Sequence, residues 1–328
     1  MQSLRNLLFP FSILYDGITR ARNWAFDNGY LTQETFDIPV IAVGNLSTGG
    51  TGKTPMIEWL IEHFKGNRIA VLSRGYGRET KGYIEIENHH TAAQVGDEPL
   101  QIKLKYNDAI VSAVCEKRVD GIRELLKNHS IDIVLLDDAF QHRYVKASHY
   151  ILLTSYDRLY SNDYLLPAGN LRESRKGANR AHTIVVTKCP ENLSQAEMDS
   201  MIQQLKPLKN QKVYFSTIEY EKRVSQSNRS ILLDELKFNK ITAVTGIAKP
   251  APFINFLKKQ FEVEHLEYDD HHRFRESEID IIAAQDIVIT TEKDYTRLSP
   301  WDLPKVYYLP MEIRFLGDEP PQFIVLDN

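Results

Sequence analysis

One stretch near the start of the chain concentrates side chains with chemistry in them: Ile41-Ala-Val-Gly-Asn-Leu-Ser-Thr-Gly-Gly-Thr-Gly-Lys-Thr-Pro55. A β-branched run enters a glycine-dense turn, and Gly52-Lys53-Thr54 opens a segment carrying Met56, Ile57, Leu60 and Ile61. Strand, loop and helix in that order make an anion site, because glycines let several backbone N–H groups converge and the helix N-terminus adds its positive end. In the nucleotide version of this loop the lysine reaches the β- and γ-phosphates and the hydroxyl after it holds Mg2+. Ser47, Thr48, Gly49, Gly50, Thr51, Gly52, Lys53 and Thr54 are therefore the candidate cradle for ATP phosphates. Ser47 stands where the usual pattern has its first glycine, although Gly49 and Gly50 follow inside the loop.

Other reactive groups follow strand-like runs. Arg68-Ile-Ala-Val-Leu-Ser73 reads as a buried strand ending in Arg74-Gly75-Tyr76-Gly77-Arg78, a turn placed to bring a guanidinium to a γ-phosphate, or simply a turn with solvated arginines. Ile131-Asp-Ile-Val-Leu-Leu136 closes with Asp137-Asp138, the position from which carboxylates hold Mg2+ beside a phosphate loop. Gly96-Asp97-Glu98-Pro99 sets two carboxylates on a turn ahead of a helix expected over 100–105, a pattern that is most often only a helix start. Asp269-Asp270-His271-His272-Arg273-Phe274 suits metal ligation, proton transfer or a polar loop, and spacing does not choose among them. Guanine-binding proteins use an Asn/Thr-Lys-x-Asp loop at a strand end. Neither Thr187-Lys188-Cys189-Pro190 nor Glu292-Lys293-Asp294-Tyr295 has that spacing, which weakens a GTPase reading.

Positioning such groups takes a scaffold of alternating strands and helices. Runs at 150–154 and 183–187 extend the strand series, so the first half is expected to form a mostly parallel sheet covered on both faces. The segment 212–221 alternates like a half-buried strand, and the polar run 225–229 marks a boundary. The expected division is an N-terminal helix over 1–30, a phosphate-loop domain over 31–211, a β linker over 212–236 and a smaller α/β domain over 237–328, with later strands at 286–290 and 306–309.

At 328 residues the chain is long enough for two cores. A formal net charge of −4 gives no sign of a nucleic-acid partner, and Cys115 and Cys189 are too isolated for a disulfide framework or structural zinc. From Phe11 onward Leu14, Tyr15, Ile18, Ala21 and Ala25 share one helix face, with Pro10 in the first turn and Arg20, Arg22, Trp24 and Tyr30 nearby. Such a helix suits either an anionic membrane surface or the protein's own core.

Taken in order, residues 43–55, Leu72-Ser-Arg-Gly-Tyr-Gly-Arg78, Gly96-Asp-Glu-Pro99, Asp137-Asp-Ala-Phe-Gln-His142, Leu166-Pro-Ala-Gly-Asn-Leu-Arg-Glu173, Asp270-His-His272 and Thr291-Glu-Lys-Asp294 resemble the tetraacyldisaccharide 4'-kinase family of lipid A biosynthesis. Ala139 and Asn170 depart from the family's common Gly and Pro. The resemblance implies two α/β/α lobes joined by a β linker, and ATP- and Mg2+-dependent phosphorylation of the 4'-hydroxyl of an acylated disaccharide 1-phosphate. It implies work at the cytoplasmic face of the inner membrane, with the Phe11/Leu14/Tyr15/Ile18 stripe facing lipid, and a monomer is expected. It also implies Asp97 as the base, paired with His271 from the second lobe, with Lys53 and Arg74 compensating phosphoryl charge, Thr54, Asp137 and Asp138 placing Mg2+, and Glu98, Gln141, His142 and Arg172 in support. From the residues alone, a phosphate-loop switch protein and a soluble small-molecule kinase stay open.

Overall fold

The computed structural model describes residues 8–226, 229–317 and 321. The start of the apolar N-terminal run, at Asn6 and Leu7, and part of the polar boundary run, at Ser227 and Asn228, lie outside them.

Helix α1 (Phe9–Asp27) leads to strand β1 (Val40–Asn45) and helix α2 (Lys53–His63). Then come β2 (Ile69–Ser73), β3 (Ile84–Glu85), the short α3 (Ala92–Val95), α4 (Asp97–Tyr106), β4 (Ile110–Val114), α5 (Arg118–Asn128), β5 (Ile133–Leu136), β6 (His149–Ser155), β7 (Thr183–Thr187), α6 (Gln195–Leu205) and β8 (Lys212–Tyr220). Beyond these lie β9 (Arg223–Gln226), β10 (Arg229–Leu232), β11 (Lys240–Thr245), α7 (Ala251–Leu257), β12 (Glu262–Glu267), α8 (Glu276–Ala283), β13 (Val288–Thr291), α9 (Glu292–Leu298), β14 (Val306–Leu309) and β15 (Met311–Leu316).

Two sheets result, one ordered β15-β8-β7-β6-β1-β5-β2-β4-β3 and the other β10-β9-β14-β13-β11-β12. In the first, every pairing from β8 across to β4 is parallel, and β15 and β3 close the edges antiparallel. Its central strands read as continuous apolar runs because helices cover both faces: Ile41, Val43, Ile133 and Leu135 point to the core with Met56, Ile57 and Leu60 of α2, whereas Val40, Ala42, Val134 and Leu136 meet Ile122 and Leu125 of α5. The second sheet is parallel through β12-β11-β13-β14, with β9 and β10 antiparallel at its edge.

The expected boundaries do not follow the sheets. Of the stretch read as a linker, β8 belongs to the first sheet and β9 and β10 to the second, while β15, from the stretch assigned to the second domain, returns to pair with β8. The carboxyl ends of β1, β2, β5 and β7 carry the phosphate loop, Arg74, Asp137 and Lys188, and those of β11, β12 and β13 lead to Gly246, the 269–272 loop and α9. Ligand crevices in open α/β sheets form at such ends.

The candidate active site

The phosphate loop is held open from three sides. Gly52 caps α2 in the left-handed region at φ 83°, and Gly49 has φ 101°, so these two glycines supply the backbone freedom the loop needs. Ser47 pairs as an isolated bridge with Leu171, and the Thr48 amide donates to Asn170 O at 2.8 Å, which ties the loop to the segment that carries Arg172. On the far side Thr187 Oγ1 donates to Thr51 O at 2.9 Å and Lys188 Nζ to Gly50 O at 2.7 Å. Below, Gly44 lies so close to Phe140 that an added Cβ would sit 2.6 Å from Phe140 Cβ. A side chain at 44 would therefore push β1 away from the Asp137–Phe140 turn.

That turn separates the two aspartates expected to act as a pair. Asp138, at φ 45°, accepts from Arg172 Nη1 at 3.1 Å and Nη2 at 2.9 Å and lies 3.8 Å from Lys53 Nζ. Burial lifts its carboxyl, but Arg172 and Lys53 outweigh that and hold it below the usual carboxylate range. Asp137 is buried, with Oδ2 accepting from Ser73 Oγ at 3.3 Å and Oδ1 left without a partner. Burial, with Glu98 adding to it, pushes this carboxyl up to about 7. An orphaned, buried carboxylate oxygen beside a phosphate loop fits a hard divalent cation, and among the described residues no cluster of three or more His, Cys, Asp or Glu side chains supplies a dedicated cage. Thr54 lies in the first turn of α2.

The supporting residues brace this floor. Gln141 donates to Asn45 O at 2.8 Å and to buried Glu173 at 3.0 Å, and Arg180 and Asn23 complete the Glu173 carboxylate. His142 Nε2 accepts from the Arg118 amide at 3.2 Å, in keeping with a ring held neutral by burial and nearby arginines, its pKa lowered to about 4. Arg118, fully buried, donates to Asp137 O and Cys115 O. Arg74 is exposed at the end of β2, near enough to act on Arg118 and His142.

Asp97 does not precede a helix but opens one. Gly96, at φ 93°, ends α3 and lets α4 begin at once, so Asp97 and Glu98 occupy its first turn, where carboxylates oppose the helix dipole favourably. Asp97 Oδ2 receives three contacts from the second sheet's side: Arg297 Nε at 2.8 Å, Arg297 Nη2 at 2.6 Å and His271 Nδ1 at 3.1 Å. Oδ1 has no partner among the described residues. Burial raises this carboxyl, but the Arg297 guanidinium and the hydrogen bonds from Arg297 and His271 prevail and hold it below the usual range. Lys293 Nζ sits 3.2 Å from His271 Nε2 and 3.3 Å from Glu98 Oε1. His271 Nδ1 faces both Asp97 Oδ2 and, at 3.2 Å, Arg297 Nη2, so the imidazole is held by an acid on one ring nitrogen and by cations on both. His272 instead stacks on Tyr268 and bonds Glu278 at 2.9 Å.

Sequence reasoning missed Arg297. Its signal was three residues upstream: Asp294 and Arg297 share a face of α9, and Arg297 Nη1 bonds Asp294 Oδ1 at 2.9 Å and Gly246 O at 3.0 Å. Also missed was the half-buried Lys105 ammonium, 2.8 Å from both Glu58 of α2 and Glu292 of α9.

One sheet holds a loop suited to a triphosphate, and groups from both sheets meet at an acid with one free oxygen, the architecture of a two-lobed α/β kinase. The family model described as Tetraacyldisaccharide-1-P 4'-kinase matches residues 4–327. A Flavobacterium johnsoniae protein named Tetraacyldisaccharide 4'-kinase is 47% identical over 325 residues, covering 97% of this chain and 95% of its own. A Bacteroides thetaiotaomicron protein of the same name is 41% identical, with 96% and 90% covered. The crystal structure of LpxK from Aquifex aeolicus in complex with ATP superposes with a TM-score of 0.78 at 29% identity, over 95% of each chain. The chain belongs to the tetraacyldisaccharide 4'-kinase family and is a kinase of lipid A biosynthesis.

Proposed function

We propose that the chain moves the γ-phosphoryl group of ATP to the 4'-hydroxyl of a tetraacylated disaccharide 1-phosphate, with Asp97 taking the hydroxyl proton. The observation that carries this is the asymmetry of Asp97: Oδ2 is held by Arg297 and His271, and Oδ1 is left to accept. The 4'-oxygen attacks the γ-phosphorus as its proton passes to Oδ1, and the bridging oxygen leaves with ADP. Lys53 and the amides of residues 47–54 hold the donor's phosphates, and Arg74 offsets charge on the moving group. Phosphoryl transfer asks for positioning and charge compensation of this kind. Thr54 and Asp137 would hold Mg2+, which supplies charge neutralisation at the phosphates. Asp138 works chiefly through Arg172 and Lys53.

The substrate's acyl chains keep it in a bilayer, and α1 offers a means of reaching it. Phe11, Ile13, Leu14, Ile18 and Trp24 are more than half exposed, with Arg20 beside them, so the helix turns its apolar side outward. Tyr15 is the exception to the expected stripe: its hydroxyl donates to Arg172 O at 2.7 Å, and Ser12 Oγ donates to Leu165 O at 3.1 Å, so the polar side of α1 faces the protein. No helix among the described residues is long and apolar enough to cross a membrane. A peripheral position on the cytoplasmic face of the inner membrane fits these features. The test is transfer of label from γ-labelled ATP to the disaccharide 1-phosphate in detergent micelles. A doubly phosphorylated lipid product is expected; label released only as inorganic phosphate would favour the switch-protein reading.

A further inference from the structure

Lys105 takes no part in the reaction above, yet it stands where the helices that carry the reacting groups come together. It is the last residue but one of α4, and its Nζ lies 2.8 Å from Oε1 of Glu292, the first residue of α9. At the other end of the same two helices Asp97, the first residue of α4, meets Arg297, the last but one of α9, at 2.6 Å. The helices therefore run side by side in opposite directions, closed by an ion pair at each end. A third contact reaches the phosphate-loop helix. Lys105 Nζ lies 2.8 Å from Glu58 Oε2 of α2, and Gln101, one turn earlier on α4, donates to Glu58 Oε1 at 3.1 Å. Glu58 follows Thr54 by one helical turn and shares its face of α2. Glu292 Oε2 also accepts from the Met311 amide at 3.3 Å, where β15 crosses back to the first sheet. The Glu58 and Glu292 side chains are only 6% and 5% exposed.

We propose that Lys105 is a positioning residue for phosphoryl transfer: by bridging Glu58 and Glu292 it fixes the spacing of α2, α4 and α9, and so the place of the Asp97 carboxylate relative to the phosphates held at 49–54 and to Arg297. Ion pairs taken out of water add little net stability over apolar side chains of the same size, so what the bridge between two buried carboxylates contributes is geometry. It stands about 12 Å along α4 from Asp97, outside the reach of either substrate's reacting atoms. A misplacement of about 1 Å at the reacting atoms, caused from such a distance, costs up to about a hundredfold in rate. The proposal rests on the reading of Asp97 as the base and adds the joint that keeps this base in register with the donor.

The test is a double-mutant cycle read in steady-state kinetics, with the lipid acceptor in micelles and every variant assayed below its melting temperature. Lys105→Met should lower kcat by about tenfold or more while KM for ATP stays within about twofold. In an Asp97→Asn background the same substitution should change kcat by less than about twofold, because the group it positions no longer takes the proton. Lys105→Met leaves two buried acids unbridged, so the charge-free triple Glu58→Gln/Lys105→Met/Glu292→Gln is measured beside it and stands in for it should it fail to fold. The triple keeps the side-chain shapes and an acceptor for the Met311 amide, and its kcat should fall as far. A wild-type kcat in the charge-free triple, or an equal-fold loss in both Asp97 backgrounds, overturns the proposal. A near-normal kcat for Asp97→Asn by itself would instead overturn the base reading, and the proposal with it.

Discussion

At Asp97 one guanidinium sets both direction and charge. Arg297 reaches across from α9, fills Oδ2 with two hydrogen bonds and is itself held by Asp294 and Gly246. As the proposed base, Asp97 would have to be ionised to accept a proton, and a carboxyl held low keeps it ionised well below neutral pH. The stability it contributes is present above the ordinary carboxylate value and is lost as pH falls through the lowered one. Removing Arg297 leaves burial unopposed by its strongest partner, with His271 facing Asp97 and Lys293 and Glu98 next to it. Arg297→Gln should therefore move the acid limb of the kcat/KM profile upward by about one pH unit or more. A uniform loss of rate with an unmoved limb would assign Arg297 to bracing alone. At this scale the sequence located the strand-to-helix turn at Gly52-Lys53-Thr54 and the strand end before Asp137, because those patterns have a fixed spacing. Asp294, three residues before Arg297, hints at a helix-face pair, but the contact with Asp97 lies 200 positions away and no local pattern encodes it.

Among the elements, three helices converge on one ammonium. Lys105 near the end of α4 lies between Glu58 of the phosphate-loop helix α2 and Glu292 of α9, both carboxylates buried. The helix bearing Asp97, the helix bearing Thr54 and the helix bearing Arg297 are thus pinned together. Burial, then Glu292, pushes Glu58 up to about 7, while Lys105 resists. A raised carboxyl contributes stability that is complete below its unfolded value and fades as pH rises through its folded one. Lys105→Met leaves two buried acids facing each other, a loss of about 3 kcal/mol. The fall in melting temperature should be larger at pH 8, above the value of Glu58 in the intact protein, than at pH 5; an equal fall at both would mean that only packing was lost. Most strands of the first sheet could be read in advance because runs buried on both faces are long and apolar, as at 183–187. Strand β15 was not foreseen, since its alternation of exposed and buried residues gives no hint that it rejoins β8 rather than its neighbours in sequence.

For the whole molecule, two lobes aim their strand ends at one crevice and α1 lies beside its floor, tied through Tyr15 to Arg172 and through Asn23 to Glu173. On the proposed reading, the helix that would meet lipid also touches the floor of the candidate site. Leu14→Glu combined with Ile18→Glu should abolish co-flotation with anionic vesicles and leave the fold intact, because both side chains are exposed. Unchanged flotation would place the membrane contact elsewhere. The most direct measurement for the whole scheme is steady-state kinetics of Asp97→Asn with the lipid acceptor. The isosteric amide keeps the shape and cannot take the proton, so kcat should fall by about a thousandfold or more while KM for ATP stays within about twofold. A near-normal kcat, or a loss of ATP affinity as large as the loss of rate, would contradict Asp97 as the base.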